Sequence, residues 1–490
     1  MKQNILASLI PRLRDMLFIA ILVGAWMLGS RMLALDSDLG RHLTIGRYIL
    51  ESRTIPTRDL LSFTRTGEAR PAYEWLTQVI LEGANRLAGL DGVILVTALL
   101  IAAAFTLVYA DARRRSRMPL TALGIAILAA LSSSLHWLPR PHVLTFLLLA
   151  LWLAWLERVR RGETLSLWRF PVLMLIWVNA HGGFVFGMLA WLAYFGGWIW
   201  EKLRQSADEQ VGKRLLLSGI LSLVATFIAP SGWGNWQAVL SNNSRYIISR
   251  TVETMPPDFS QPGTWPFALL IILTASVVIV TRKSQSASHI FLLAGFATLG
   301  LFMARNIPLF GIASTPILAE GIGNILKRAR RWQSVEINIT VLERPLRGAV
   351  WPIVVGLAFA FFIGIRYQVR REALNHFNKR VFPVAAADWL TTHPQPGNMF
   401  NEFNWGGYLL YRLWPEEKVF LDSQTDFYGE ELVREYEHIL TAQDGWQELL
   451  DTYSVGWVIL PHSAPLIPSL QAADWQTLYS DQTAIILKHP

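Results

Sequence analysis

The stretch that decides the fold is residues 16–38, MLFIAILVGAWMLGSRMLALDSD, an apolar run that ends on two aspartates. A helix of about twenty apolar residues is long enough to cross a bilayer, so the run predicts a membrane span. Asp36 and Asp38 follow at the membrane boundary, where charge is costly unless it meets water, a partner or a substrate. They are candidates for proton transfer or for holding a divalent cation such as Mg²⁺ or Mn²⁺. Alternatively, Asp38 caps the helix predicted to begin at Leu39.

The composition is that of a membrane protein. The chain has 490 residues, of which 52% are hydrophobic and 16% charged, whereas soluble domains carry about 25% charged residues. The net charge is +8. Because the basic residues lie between apolar stretches, they predict membrane orientation rather than nucleic-acid binding. The absence of cysteine excludes disulfides and cysteine-ligated zinc. The sequence has no phosphate-binding loop or dinucleotide fingerprint, so we expect no nucleotide cofactor.

Hydropathy predicts about eleven membrane spans within a transmembrane domain, residues 1–366. The spans are placed at 16–35, 91–110, 119–137, 140–156, 168–180, 183–200, 215–230, 266–281, 288–304, 306–323 and 348–366. Basic clusters fall in alternate loops, at 113–115, 158–161, 202–214, 282–283 and 327–331. Because cytoplasmic loops are enriched in Lys and Arg, we predict a multi-pass protein of the inner (plasma) membrane whose C-terminal domain is extracytoplasmic.

Two further regions have their own patterns. Residues 39–87 alternate amphipathic runs with turn signals, so the outer loop 36–90 is predicted to form helices along the interface. Residues 382–490 are predicted to form a small soluble α/β domain. Its strands are expected at 398–400, 418–421, 455–460 and 483–487, and its helices at 383–392, 405–413, 429–442 and 445–453. The runs 400–408 and 420–426 follow predicted strands, where α/β domains bind ligands.

Unusual polar residues collect on the predicted outer face. Glu74 and His42 lie near the aspartate pair in sequence. Arg140 stands between two prolines and Arg305 lies beside hydrocarbon, so each could bind a phosphate or anchor in lipid headgroups.

Two histidines and two aromatic residues are further candidates for ligand binding, and structural roles are the alternative for several of them. His142 follows the second of those prolines, and His181 precedes two glycines. His181 could contact a sugar or a metal, or could belong to a tight turn. Trp405 and Tyr408 could stack on a sugar ring, or could pack the C-terminal domain against the membrane part.

Four motifs give the chain a resemblance to a known family. These are DSDLGRHLTIG at 36–46, EWL at 74–76, NAHGG at 179–183 and NWGGYL at 404–409. With the span count and the outward domain, they resemble the GT-C membrane glycosyltransferases, in particular a bacterial subgroup without an assigned substrate. The resemblance covers most of the chain.

The resemblance implies transfer of a sugar from a polyprenyl-phosphate carrier to a glycan, lipid or protein acceptor on the outer face. It implies that Asp36 or Asp38 acts as base or metal contact. From the position of this pair we predict a catalytic centre there, with Glu74 and His42 around it. The resemblance also implies a basic residue at the carrier phosphate, Arg305 or Arg140. The alternatives are a transporter of lipid-linked glycans and a non-enzymatic membrane protein with an outward binding domain.

Overall fold

The computed structural model describes residues 10–241, 244–249, 252–327, 329–346, 348, 350–370 and 372–490, and most of them are helical. Each of the eleven predicted spans coincides with a helical segment, the first of them with a pair of consecutive helices. These helices are α1 Leu13–Met27, α2 Gly29–Ala34, α4 Trp75–Ser116, α5 Pro119–Ser133, α6 His142–Arg160, α7 Arg169–Ala180, α8 Phe184–Leu203, α9 Glu209–Ala225, α12 Trp265–Thr281, α13 Ala287–Phe302, α14 Ile307–Leu326 and α16 Val350–Arg370.

Six helical segments of the described chain are long and apolar enough to cross a membrane, and two shorter apolar helices, α7 and α13, accompany them. The longest, α4, is kinked at Ala88 and Gly89. Gly89 has a φ of 62°, which glycine adopts at little cost. The kink separates an outer segment beginning at Trp75 from the membrane-crossing part. The chain is therefore a multi-pass membrane protein, as predicted.

The outer loop 36–90 is only partly interfacial helix. Helix α3 (Leu39–Ser52) and the first turns of α4 match the prediction. Between them the chain is not helical, and it turns back on itself through an antiparallel bridge between Arg58 and Ala69. Ser62 then bridges to Val419 of the C-terminal region. The helical prediction for this middle part is wrong because its backbone hydrogen bonds run across the turn, as from the Arg70 N–H to the Thr57 carbonyl, and at Phe63 to Val419 of the C-terminal region.

The remaining helices before the C-terminal region lie outside the predicted spans. They are α10 Trp233–Ser241, α11 Arg245–Ile248 and α15 Arg330–Glu343. In the C-terminal region the helices are α17 Val384–Thr392, α18 Gly406–Leu413, α19 Thr425–Leu440, α20 Trp446–Thr452 and α21 Leu466–Ala472. Four of these five match predicted helices, and α21 was not predicted.

The C-terminal region contains one four-stranded sheet. Its strands are β1 Asn398–Asn401, β2 Val455–Leu460, β3 Gln476–Ser480 and β4 Ile485–Lys488. The order is β1-β2-β4-β3, in which β1 and β2 are parallel and the other pairs antiparallel. The predicted strand at 418–421 is wrong, since in the described chain Val419 pairs only through the bridge to Ser62. Strand β3 was missed.

Strands β1, β2 and β4 are buried on both faces, which explains the nearly continuous apolar runs of β2 and β4, whereas the edge strand β3 is largely exposed. Because side chains alternate along a strand, Trp457 and Ile459 pack into the core shared with the membrane helices. Val458 and Leu460 pack into a second core under the C-terminal helices. The C-terminal region is thus continuous with the membrane part through one hydrophobic core.

A close backbone contact fixes α18 against α3. A Cβ atom on Gly40 would lie 2.1 Å from the carbonyl oxygen of Gly407, and one on Gly407 would lie 2.2 Å from the carbonyl oxygen of Ser37. Side chains cannot be accommodated at such distances. The glycines of the DSDLGRHLTIG and NWGGYL motifs therefore place the C-terminal region directly on the loop that carries Asp36 and Asp38.

Candidate functional site

A cavity of about 420 Å³ lies where the outer loop, several helix ends and the C-terminal region meet. Seven of the ten predicted site residues line it: Asp38, His42, Glu74, Arg140, His142, His181 and Arg305. They come from segments far apart in sequence, and the fold brings them together at one end of the helix bundle. Asp36 lies directly behind this wall, whereas Trp405 and Tyr408 lie elsewhere.

Asp36 and Asp38 have different roles in the structure. The Asp36 Oδ1 atom accepts hydrogen bonds from the backbone N–H groups of Asp38 (2.8 Å) and Leu39 (3.1 Å), at the start of α3. Asp38 makes no such bond. The capping role that the sequence offered for Asp38 therefore belongs to Asp36, and Asp38 is left at the cavity wall.

Arg140 is paired with both aspartates. Its Nε atom lies 2.8 Å from Asp36 Oδ1, and its Nη1 atom lies 2.9 Å from Asp38 Oδ2 and 3.1 Å from Glu253 Oε1. Burial raises the pKa of Asp36, against the opposing effect of Arg140. Burial also disfavours ionised Asp38, but Arg140 and Arg41 outweigh it and hold the pKa of Asp38 well below its ordinary value. Arg140 is therefore engaged in ion pairs with three acidic side chains.

Arg41, which is not among the predicted site residues, links the site to the C-terminal region. Its Nη2 atom lies 2.8 Å from Asp38 Oδ1, and its Nε atom lies 3.5 Å from Asp422 Oδ1. Ser423 also donates a hydrogen bond to Asp38, with 2.5 Å between the oxygens. The run 420–426 therefore closes one side of the cavity, as predicted, although the described chain has no strand at 418–421 before it.

Glu74 is an acid of the cavity wall whose ionised form is disfavoured. Its Oε2 atom lies 3.9 Å from Arg41 Nη1 and 3.8 Å from His42 Nδ1. Burial raises the pKa of Glu74 to about 7, in spite of the neighbouring Arg41. Burial lowers the pKa of His42 well below its ordinary value, so this imidazole is neutral. A carboxyl group that titrates near neutral pH is suited to accept a proton during a reaction.

The tautomer of His181 follows from its hydrogen bonds. The Gly183 N–H donates to His181 Nδ1 at 3.0 Å, and the Thr145 hydroxyl lies 2.8 Å from the same atom. Burial lowers the pKa of His181 to about 3, so the ring is neutral and carries its proton on Nε2. His142 lies beside it, with 6.4 Å between the ring centroids, and its Nε2 atom lies 2.8 Å from the His136 carbonyl oxygen. His181 therefore has an N–H donor left for a ligand.

Arg305 differs from the other arginines of the cavity. It lies in a short 3₁₀ turn, Ala304–Asn306, directly before α14, and its side chain is exposed. Within the described part of the chain it makes no ion pair with an acid, in contrast to Arg41 and Arg140. An unpaired guanidinium at the wall of a polar cavity is suited to bind a phosphate through two hydrogen bonds.

Trp405 and Tyr408 are buried away from the cavity, which corrects their prediction as sugar-stacking residues. The Trp405 Nε1–H donates to the Val381 carbonyl at 2.7 Å. The Tyr408 ring packs against Phe377 and Phe382, with centroids 5.0 and 5.4 Å apart. Both side chains support the alternative, that they pack the C-terminal region against the membrane part.

Two residues of the cavity wall, Arg41 and Tyr73, were not predicted, and Ser423, Gln424 and Asp426 were marked only as part of the run 420–426. The Tyr73 hydroxyl lies 3.4 Å from Asp426 Oδ2, and burial raises the pKa of both groups. The sequence does show polar residues directly before Glu74 and directly after residue 421, which could have indicated these members of the site. Only the fold shows that these two segments meet.

The arrangement does not fit a divalent cation at Asp36 and Asp38. Both carboxylates face Arg140, and Asp38 is further occupied by Arg41 and Ser423. Over the described residues, no group of three or more His, Asp or Glu side chains has a metal-binding arrangement. The positive charge between these acids is supplied by arginine, so no metal contact is assigned to either aspartate.

Comparison with known proteins establishes the fold. No protein-family model matches the sequence, and no curated protein sequence is similar to it. Among solved structures, the chain is similar to the oligosaccharyltransferase AglB of Archaeoglobus fulgidus in complex with an inhibitory peptide and a dolichol-phosphate. The TM-score is 0.60 at 10% identity, over 91% of this chain and 69% of that chain.

A second similarity is to ArnT from Cupriavidus metallidurans in the apo state, with a TM-score of 0.51 at 13% identity. It covers 96% of this chain and 97% of that chain. The apo form of the Archaeoglobus oligosaccharyltransferase matches with a TM-score of 0.58 at 10% identity, over 91% of this chain and 69% of that chain. The chain therefore shares the fold of these solved structures, which is the fold that the resemblance predicted.

Proposed function

We propose that the protein is a glycosyltransferase that moves a sugar from a polyprenyl-phosphate carrier to an acceptor hydroxyl on the outer face of the inner membrane. The observation that carries the proposal is the cavity, because it joins a carboxyl group of pKa about 7, Glu74, to the unpaired guanidinium of Arg305. The similarity to a complex that contains dolichol-phosphate supports a lipid-linked donor.

In the proposed step one bond to the sugar forms and another breaks. The acceptor oxygen forms a bond to the anomeric carbon of the sugar, and the bond from that carbon to the carrier phosphate breaks. Glu74 takes the proton of the acceptor hydroxyl, since its pKa near neutrality lets the ionised form exist and still bind a proton. Arg305 stabilises the negative charge of the leaving polyprenyl phosphate.

The other residues at the cavity position these groups. Asp38 is ionised and paired with two arginines, so it is a weaker base than Glu74. We propose that Asp38 holds Arg41 and Arg140 in position around the reacting atoms. His181 offers its Nε2–H to a hydroxyl group of the sugar or the acceptor.

Mass spectrometry tests the donor class. The purified protein is expected to carry a polyprenyl phosphate or a polyprenyl-phosphate sugar, and this ligand should be depleted in Arg305→Ala. Reporter fusions test the orientation, because a fusion after Pro490 should report an extracytoplasmic location and one after Arg161 a cytoplasmic location. A cytoplasmic C-terminal domain would contradict the proposal.

A further inference from the structure

A second cavity lies at the opposite end of the helix bundle. Its volume is about 450 Å³, and five arginines line it: Arg12, Arg14, Arg113, Arg114 and Arg117. The last three lie at the end of α4, roughly 36 to 42 Å along the helix from Gly89 at about 1.5 Å per residue. The site described above shares no residue with it. We propose that this cavity binds a phosphate-bearing anion.

The charge of the cavity wall supports an anionic ligand. Within the described residues, no acidic side chain lines the cavity. Three of the arginines have acid partners behind the wall, such as Glu343, whose Oε2 atom lies 2.6 Å from Arg113 Nη2. Arg14 and Arg114 are paired in the same way with Asp15 and Asp111. These ion pairs hold the guanidinium groups in place without bringing a negative charge into the cavity.

The remaining two arginines are not neutralised by an acid in the described chain. Arg12 donates to a backbone carbonyl, that of Leu346, with 2.6 Å between Nε and the oxygen. Arg117 ends α4, has a φ of 59° and makes no ion pair with the described residues. The cavity therefore has a surplus of positive charge, and guanidinium groups bind phosphate oxygens in pairs.

Membrane orientation alone does not account for the arrangement. The rule that favours Lys and Arg on the cytoplasmic side requires only that the charges lie in the loops. Here residues from the start of α1, the end of α4 and, through Thr340, α15 converge on one concave surface. The ligand chemistry is a phosphate group, which either a phospholipid headgroup or a soluble phosphate compound could supply.

Two binding measurements distinguish these sources. Pyrophosphate is titrated calorimetrically into the detergent-purified full-length protein. In parallel, native mass spectrometry counts the lipids retained from nanodiscs of phosphatidylcholine, with and without phosphatidylglycerol. Binding that Arg117→Gln weakens, in either measurement, supports the site and identifies its source, and it should weaken as salt is added. Failure of both probes to bind would overturn the proposal.

Arg117→Gln is the decisive variant, because Arg117 has no ion pair whose loss would disturb the fold. Arg330→Gln is the matched control, since Arg330 is an exposed arginine that begins α15 and does not line the cavity. We expect Arg117→Gln to weaken binding about tenfold, as for loss of a charge-assisted contact, and the control to leave it unchanged. Equal loss in both variants would contradict the site. The outcome is independent of transferase activity.

Discussion

The Asp38 carboxylate lies 2.9 Å from the Arg140 guanidinium, measured from Oδ2 to Nη1. This pair neutralises the acid that the sequence marks most strongly and leaves Glu74, with its pKa of about 7, as the better proton acceptor. The same contact commits Arg140 to acids, so that Arg305 becomes the better phosphate ligand. One ion pair thus decides how the roles are divided in the cavity.

The two aspartates should respond differently to substitution. Asp36→Ala removes the acceptor for two backbone N–H groups and one partner of Arg140, so we expect the free energy of unfolding to fall by at least about 2 kcal/mol. Asp38→Asn keeps the size of the side chain and should lower turnover about 100-fold with a smaller loss of stability. Thermal unfolding and transfer assays on both variants check this. The opposite pattern would show that Asp38 is the structural residue.

Arg305→Ala should weaken carrier binding roughly 10- to 150-fold while the fold is retained, because Arg305 makes no ion pair with the described residues. Arg305→Lys should recover only part of the loss, since lysine cannot bind phosphate through two parallel hydrogen bonds. Binding of a polyprenyl phosphate to the purified variants measures the effect. Arg169→Ala, at an exposed arginine that starts α7 away from the cavity, is the matched control. Unchanged affinity in Arg305→Ala would return this residue to the role of a headgroup anchor.

Removal of divalent cations tests whether Arg140, rather than a metal ion, supplies the positive charge between Asp36 and Asp38. Since Arg140 already lies between Asp36, Asp38 and Glu253, we expect EDTA to leave the rate of transfer unchanged. The measurement compares initial rates of the reconstituted protein before and after dialysis against the chelator. Loss of activity that Mg²⁺ or Mn²⁺ restores would show that a cation takes part after all.

The pH dependence should report the ionisation of Glu74. Only ionised Glu74 accepts a proton, so kcat/KM should rise with pH between about 6 and 8 and level off above, with an apparent pKa near 7. Asp38 stays ionised throughout this range, so Asp38→Asn should lower kcat/KM at every pH without removing the inflection near pH 7. A profile that is flat over this range would exclude Glu74 as the base.

Much of the architecture could be predicted from the sequence because hydropathy is a local property. The predicted spans coincide with helices, six of which in the described chain are long and apolar enough to cross a membrane. The kink at Gly89 lies where the predicted interfacial segment gives way to a span. The segment between α3 and α4 was predicted incorrectly, because its hydrogen bonds to Val419 join residues more than 350 positions apart in sequence. No local pattern indicates such a partner.

The site was predicted less completely for the same reason. Polar residues at helix ends identified seven members of the cavity wall, but their pairing depends on tertiary contacts. Trp405 and Tyr408 illustrate the difficulty, since an aromatic residue beside glycines suits both a sugar platform and a packed contact. The close approach of Gly40 and Gly407 favours packing, because it buries this segment against α3.

The most direct test of the central claim is transfer by the reconstituted protein from a panel of polyprenyl-phosphate sugars. Mass spectrometry follows both the released polyprenyl phosphate and the glycosylated acceptor. We predict that the wild type forms both products and that Glu74→Gln binds the carrier but forms them at least about 100-fold more slowly. Wild-type turnover by Glu74→Gln, or a wild type that binds the carrier-linked sugar and moves it across the membrane without cleaving it, would contradict the account.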